Sequence, residues 1–184
     1  MAKNRYAILL RGVNVGMKNS LPMAEFRAML TAAGCTDVQT YVQSGNAVFG
    51  TGLGVADVTR AVEEALERYM GRPIATTVRT ETQMKAILDA NPLAKVVTHP
   101  AYSCVTFLSH TPTKAELGPL YAQDFGPELF SIEGKEIYTW HPNGQARSAL
   151  AAALGKLKLR GAVTTRNWNT VQKLVAMLEK SAPR

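Results

Sequence analysis

Two glycines and two cations near the beginning of the sequence could together hold an anion. Arg11, Gly12, Gly16 and Lys18 follow a short apolar run, and Pro22 then suits the first turn of a helix. Glycine lets backbone N–H groups approach a ligand closely, and the two cations can neutralise a phosphate or a carboxylate. The segment is not a P-loop, because the sequence contains no Gly-Lys-Ser/Thr triplet.

Two further polar segments are expected at the same edge of the predicted sheet. In a split β-α-β arrangement, the end of the first strand meets the hairpin between the second and third strands and the start of the fourth strand. The side chains predicted to contact a ligand there are Arg11, Asn14, Lys18, Gln43, Ser44, Asn46 and Arg72. The alternative is a conformationally demanding loop in which glycines turn the chain and Asn and Ser side chains satisfy nearby backbone groups.

A basic segment near the end of the sequence could contact nucleic acid. Residues 156–160 alternate basic and apolar side chains, which on a strand would place the basic ones on one face. An arginine and a tryptophan follow at a predicted helix start, and this pair suits phosphate contact and base stacking. The residues predicted to bind nucleic acid are Lys156, Lys158, Arg160, Arg166 and Trp168. Trp168 could instead anchor the core, because Val171 and Leu174 continue its apolar stripe.

The hydrophobic pattern predicts an α+β protein made of two tandem ferredoxin-like units. Residues 1–80 are predicted to fold as strand, helix, strand, strand, helix and strand. Residues 81–184 are predicted to repeat that order after a linking helix at residues 81–90, and to end in a C-terminal helix.

Local signals predict where several helices begin and end. Ser20 is predicted to cap the first helix. Thr113 and Glu116 have the spacing of a capping box, in which two side chains and two backbone N–H groups bond reciprocally. A later helix is predicted to run from Gln145 to Leu154 and to be stopped by Gly155.

The charge distribution favours an anionic partner. The formal net charge is +7, and residues 137–184 carry eight basic side chains and one acidic side chain. A field of one sign attracts nucleic acid or a phosphorylated small molecule, although a basic surface with no dedicated partner is the alternative. His99, His110 and His141 are isolated and are predicted to lie in loops, so neither a metal site nor a cofactor is expected.

The cysteines and the apolar runs predict a cytoplasmic protein with no membrane association. Cys35 and Cys104 belong to no Cys-x-x-Cys pair, which favours two reduced, partly buried thiols over a redox or metal site. The apolar run at residues 7–10 is too short for a signal peptide or a membrane span.

Three stretches resemble a widespread bacterial family known as domain of unknown function 1697. They are residues 9–16 (LLRGVNVG), 40–49 (TYVQSGNAVF) and 165–174 (TRNWNTVQKL). The family often has a glycine where Met17 stands in this sequence. The resemblance implies a cytoplasmic α+β protein, and it adds no reaction, cofactor or catalytic residue.

The sequence leads to three hypotheses about function, and none of them names a protein partner. The first is a protein that binds nucleic acid or a phosphorylated metabolite through its basic surface. The second is an enzyme acting on a small phosphorylated or carboxylated substrate at residues 11–18 and 43–46, which requires Arg11 and Asn46 to face one cavity. The third is a structural or interaction protein without a ligand.

Overall fold

The computed structural model describes residues 4–16 and 20–180, and their contacts divide the chain into two units. The second unit is Ile87–Gln172. The first unit contains the described residues up to Ala86 together with those from Lys173 onward. The contacts divide the chain between Ala86 and Ile87, whereas the sequence predicts a boundary between residues 80 and 81, and they group the end of the last helix with the first unit.

The described residues form eight strands and six α-helices. The strands are β1 (Asn4–Leu10), β2 (Thr36–Tyr41), β3 (Asn46–Thr51), β4 (Thr76–Thr80), β5 (Ser103–Leu108), β6 (Leu129–Glu133), β7 (Glu136–Trp140) and β8 (Val163–Asn167). The helices are α1 (Met23–Ala32), α2 (Val55–Met70), α3 (Glu81–Asp89), α4 (Lys114–Tyr121), α5 (Ala149–Lys156) and α6 (Trp168–Lys180). None of these helices has the length and apolar composition that a membrane span requires.

Each unit contains one four-stranded sheet. The strand order is β2-β3-β1-β4 in the first unit and β6-β7-β5-β8 in the second, and every neighbouring pair is antiparallel. The protein is therefore a mixed α+β protein with two four-stranded antiparallel sheets.

The core of the first unit explains why β1 shows no alternation of polar and apolar residues. Residues 5–10 are all buried, so both faces of this central strand are covered. Phe26 of α1, Phe49 of β3 and Leu66 of α2 belong to one core cluster and are fully buried. Burying each of these side chains stabilises the fold by about 2 kcal/mol.

Of the N-terminal caps predicted for α1 and α4, one is present in the structure and the other is not. The capping box of α4 is confirmed, because Thr113 accepts from the N–H of Glu116 and the carboxylate of Glu116 accepts from the N–H of Thr113. The predicted cap of α1 is wrong. That helix begins after Pro22 with no side-chain cap, so Ser20 does not cap it.

The predicted ends of α5 are also wrong. Gln145 lies in a short 3-10 turn, and the α-helix begins after Ser148, whose Oγ accepts a hydrogen bond from the N–H of Ala151. The helix then continues through Gly155 to Lys156. An interior glycine costs a helix only about 1 kcal/mol relative to alanine, and the preceding run of alanines favours the helix.

Candidate anion-binding corner

The three polar segments predicted to converge in the first unit do lie together. The N–H of Leu10 donates to the carbonyl of Gly45 at 2.8 Å, and the N–H of Arg11 donates to the carbonyl of Ala75 at 3.0 Å. The end of β1 is thus bonded to the β2–β3 hairpin on one side and to the entry of β4 on the other. We define the loop corner as residues 11–16, 43–46 and 71–75.

The side chain of Asn14 joins two segments of the loop corner. Its Nδ2 donates to the carbonyl oxygens of Leu21 at 2.9 Å and of Gln43 at 2.6 Å, and its Oδ1 accepts from the N–H of Leu21 at 2.7 Å. Its φ of 56° lies in the left-handed region, which asparagine tolerates better than most residues. The amide of Asn14 therefore has a structural role, since both its nitrogen and its oxygen, which were predicted to contact a ligand, bond within the chain.

The β2–β3 hairpin packs too closely against β1 for a side chain at residue 45. Gly45 has a φ of 77°, and a Cβ there would lie 2.7 Å from Cγ2 of Val13 and 2.8 Å from Cβ of Leu10. Asn46 is fully buried, and its Nδ2 donates to the carbonyl of Tyr41 at 3.1 Å and to Oγ of Ser44 at 2.9 Å. Asn46 therefore stabilises the hairpin, and its side chain, which was predicted to contact a ligand, is buried from solvent.

Arginine supplies the charge at the loop corner. Arg11 is exposed, and so are Gln43 and Ser44. Arg72 is half-buried, and its Nη2 donates to the carbonyl of Gly12 at 3.1 Å. Lys18, the other predicted cation, lies outside the described residues.

Arg11 and Asn46, which the enzyme hypothesis requires to face one cavity, differ in their exposure. The side chain of Arg11 is exposed, whereas that of Asn46 is fully buried, so a substrate cannot touch both. A cleft of about 310 Å³ adjoins Pro73, but Glu63 and Glu67 line it. Two carboxylates repel an anionic substrate.

The alternating basic segment at residues 156–160 is not a strand. Lys156 is the last residue of α5, and residues 157–160 have no regular secondary structure. Leu157 and Leu159 nevertheless pack against the core of the second unit, while Lys158 and Arg160 are exposed. The alternation of apolar and basic residues therefore reflects an extended segment that packs on the core without pairing in the sheet.

The carboxylate of Glu116 forms an ion pair with Arg160. Its Oε1 accepts from the N–H of Arg160 at 3.0 Å and from Nε of the same residue at 3.2 Å. Its Oε2 accepts from the N–H of Thr113 at 2.8 Å and from Oγ1 of Thr113 at 2.9 Å. Hydrogen bonds from the backbone N–H groups of Thr113 and Arg160 hold the pKa of Glu116 well below its ordinary range. The contact between Glu116 and Arg160 spans 44 residues of sequence, and no local pattern predicts it.

Arg166 and Trp168 do not form an open surface for a nucleic-acid base. Burial lowers the pKa of Arg166 to about 10, and its Nη1 donates to the carbonyl of Thr165 at 2.8 Å. Trp168 is 7% exposed, and its ring centroid lies 6.5 Å from that of Tyr138. Trp168 therefore anchors the core, which is the alternative that its apolar stripe indicates.

Comparison with known proteins decides the family. A family model described as "Protein of unknown function (DUF1697)" matches residues 3–138, which include the whole loop corner. The chain belongs to this family. The DUF1697 protein is also similar to a solved structure, that of conserved bacterial protein SP0830 from Streptococcus pneumoniae, with a TM-score of 0.82 and 25% identity. That match covers 96% of this chain and 99% of SP0830, whereas no curated protein matches this chain.

The DUF1697 protein also contains a buried histidine that its sequence pattern does not reveal. His141 was predicted to lie in a loop, but its side chain is fully buried. Its Nδ1 lies 2.8 Å from Oγ of Ser148 and 3.3 Å from Oε1 of Glu128, and its Nε2 lies 2.9 Å from Oγ1 of Thr139. These contacts link β7 to the N-terminus of α5. A lone histidine gives no spacing signal that would predict them.

The buried histidine predicts that the second unit loses stability in acid. Burial lowers the pKa of His141 in the folded protein. As the pH falls below about 6.5, the histidine therefore becomes protonated in the unfolded chain before it does in the folded one, and this difference favours unfolding. Burial acts to raise the pKa of Glu128, but hydrogen bonds from Ser148 and from the N–H of Leu150 outweigh it and lower that pKa. The contribution of Glu128 is therefore present above the unfolded pKa of about 4.3 and is lost at lower pH.

Urea denaturation at a series of pH values tests this expectation. The free energy of unfolding should fall between pH 7 and pH 5, and it should fall further below pH 5. His141→Gln, which cannot take up a proton, should flatten the decline between pH 7 and pH 5. An equal decline in the variant and the wild type would show that His141 is not responsible.

Proposed function

We propose that this protein binds a phosphate-bearing ligand at the loop corner. The observation that carries the proposal is the backbone of residues 12–16. The angle φ is positive at Gly12 (67°), Asn14 (56°) and Gly16 (68°), and it is not positive at the two valines between them. Positive and non-positive φ therefore alternate along this segment. Such alternation can turn successive N–H groups toward one side and form a nest, a concave binding site for anions, and we infer that residues 12–16 form one.

The N–H groups of this nest are available to a ligand. Within residues 4–16 and 20–180, the backbone N–H groups of residues 12–16 donate to no acceptor. Gly12, Val15 and Gly16 are exposed. A phosphate oxygen can therefore approach this backbone, and its negative charge strengthens the hydrogen bonds that it accepts.

The charge of the loop corner also suits an anion. Arg11 directly precedes the nest, and Arg72 reaches the carbonyl of Gly12. The three segments of the loop corner contain no Asp or Glu. Glu63 and Glu67 line a cleft beside residues 73–75, so the proposed site is the segment of residues 11–16. An arginine side chain offers several N–H donors in a plane, which matches the oxygen atoms of phosphate.

The bonds of Asn14 and the close packing of Gly45 hold the nest in shape before a ligand arrives. A loop that is already ordered loses less conformational entropy on binding, so more of the interaction energy appears as affinity. The structural roles of Asn14 and Asn46 thus support the proposal, although neither side chain would touch the ligand.

A small phosphorylated molecule fits these observations better than nucleic acid. Of the side chains predicted to bind nucleic acid, Arg160 is paired with Glu116, Trp168 lies in the core, and Arg166 is partly buried. Lys156 and Lys158 are exposed, but two lysines supply few phosphate contacts. Nucleic acid is therefore the alternative ligand in the binding experiment described below.

The fold and location of the protein form part of the same proposal. We propose that each unit is a ferredoxin-like sandwich, since both strand orders and the helices after the first and third strands suit that arrangement. A cytoplasmic location is supported by Cys35 and Cys104, which are buried and form no disulfide.

Titration of the full chain with inorganic phosphate and pyrophosphate, followed by calorimetry, tests the proposed function. We expect saturable binding, and we expect Arg11→Gln to weaken it about tenfold, the effect of one charge-assisted hydrogen bond of about 1.4 kcal/mol. Arg147→Gln is the matched control, because Arg147 is exposed in the second unit. It should leave the affinity unchanged.

Two results would count against this function. One is no binding of either phosphate compound at millimolar concentration. The other is binding that Arg11→Gln and Arg147→Gln weaken equally, which would indicate a diffuse effect of net charge. Single-stranded RNA and duplex DNA, each titrated at two salt concentrations, complete the experiment, because tight salt-dependent binding of either would favour nucleic acid instead.

A further inference from the structure

The two units repeat the same backbone connections at the ends of their central strands. In the first unit, Leu10 donates to Gly45 and Arg11 donates to Ala75. In the second unit, the N–H of Leu108 donates to the carbonyl of Lys135 at 2.9 Å, and the N–H of Ser109 donates to the carbonyl of Ala162 at 3.0 Å. The second unit therefore has a corner in which the same two connections join three segments.

The two corners differ in the loop that leaves the central strand. The connection from β1 to α1 runs from residue 11 to residue 22, whereas the connection from β5 to α4 runs from residue 109 to residue 113. The short connection brings the start of α4 directly to the corner. Glu116 belongs to the first turn of this helix.

The second corner surrounds a carboxylate with donors. Two backbone N–H groups, those of Thr113 and Arg160, donate to Glu116, as do the Thr113 hydroxyl and Nε of Arg160. Nε2 of His110 lies 3.2 Å from the same carboxylate. The side chain of Glu116 is only 11% exposed, so these groups enclose an anion that the chain itself provides.

We propose that Glu116 is an internal ligand, whose carboxylate takes in the second unit the position that a phosphate takes in the first. This inference rests in part on the proposed function of the loop corner. It follows that each chain binds one phosphate and not two, because the second corner supplies its own anion. It also follows that a small carboxylate or phosphate can replace the side chain of Glu116 once that side chain is removed.

Truncation of Glu116 tests the inference. Glu116→Ala removes the carboxylate and leaves the donors of Thr113 and Arg160 around a space that suits acetate or phosphate. We expect the wild type to bind one inorganic phosphate per chain and the variant to bind two. We also expect the melting temperature of the variant to rise with sodium acetate relative to sodium chloride of equal ionic strength. Glu64→Ala, which removes an exposed carboxylate on α2, should behave as the wild type in both experiments.

Each outcome of the titration bears on one of the two proposals. A folded Glu116→Ala variant that binds the same number of phosphates as the wild type and gains no stability from acetate would overturn the internal ligand alone. No binding by the wild type and one phosphate bound by the variant would overturn the proposed function and keep Glu116 as an internal ligand. No binding by either would overturn both.

The inference can still be tested if Glu116→Ala does not fold in sodium chloride. Circular dichroism then reports whether acetate restores the helical signal of Glu116→Ala at constant ionic strength. Recovery in acetate and not in chloride supports the internal ligand. Failure to recover in acetate and in phosphate contradicts it.

Discussion

Gly45→Ala should lower the free energy of unfolding by about 4 kcal/mol. The left-handed backbone conformation costs alanine about 1 kcal/mol, and overpacking by the new methyl group costs about 3 kcal/mol. The new methyl group would lie 2.7 Å from Cγ2 of Val13 and 2.8 Å from Cβ of Leu10. Cβ of Leu10 is attached directly to the backbone of β1, so a rotamer change cannot relieve that contact. Urea denaturation followed by circular dichroism measures the loss.

Gly12→Ala separates the two causes of this effect. Gly12 also has a positive φ, of 67°, but no atom lies within 4 Å of a Cβ built there. Its substitution should therefore cost only the backbone strain, about 1 kcal/mol. Equal losses from Gly12→Ala and Gly45→Ala would mean that the hairpin does not pack closely against β1, contrary to the structure described above.

Asn14→Ala should lower the free energy of unfolding by about 3 kcal/mol, because three hydrogen bonds of about 1 kcal/mol each are lost. The bonds join Asn14 to Leu21 twice and to Gln43 once. The backbone N–H of Leu21 would lose its acceptor beside a fully buried side chain. The same urea experiment gives the size of this effect.

Gln43→Ala is the control for Asn14→Ala. The hydrogen bond from Asn14 reaches the backbone carbonyl of Gln43, which the substitution keeps, and the side chain of Gln43 is exposed. We expect a change within about 0.5 kcal/mol. A loss at Gln43 as large as the loss at Asn14 would place the stabilisation in side-chain packing and not in these hydrogen bonds.

The parts of the fold that depend on local patterns could be predicted from the sequence. The apolar stripe of residues 55–70 and the glycine that follows it predict one helix over that segment, and the helix spans Val55–Met70 with Gly71 after its end. The pattern of residues 129–140 likewise predicts two strands around Gly134-Lys135, and β6 and β7 form that hairpin with Gly134 at the turn. The convergence of the corner segments followed from strand order, which the chirality of the crossover connections restricts.

The roles of individual side chains could not be predicted in the same way. The sequence suggests that Asn14 and Asn46 could orient a ligand, but their amides bond to backbone groups that only the folded chain brings near. Glu116 was identified as half of a capping box, and its contact with Arg160 depends on the packing of distant segments. The alternation in residues 156–160 would place the basic side chains on one face of a strand, but an extended segment that packs on a core without pairing in a sheet shows the same alternation.

Amide chemical shifts during a phosphate titration test the central claim most directly. The claim is that the backbone of residues 12–16 binds phosphate beside Arg11. We predict that the amide signals of residues 12–16 shift together and saturate, and that Arg11→Gln moves the midpoint of the titration to about tenfold higher phosphate concentration. Shifts confined to the basic residues 137–180, with residues 12–16 unaffected, would contradict the claim.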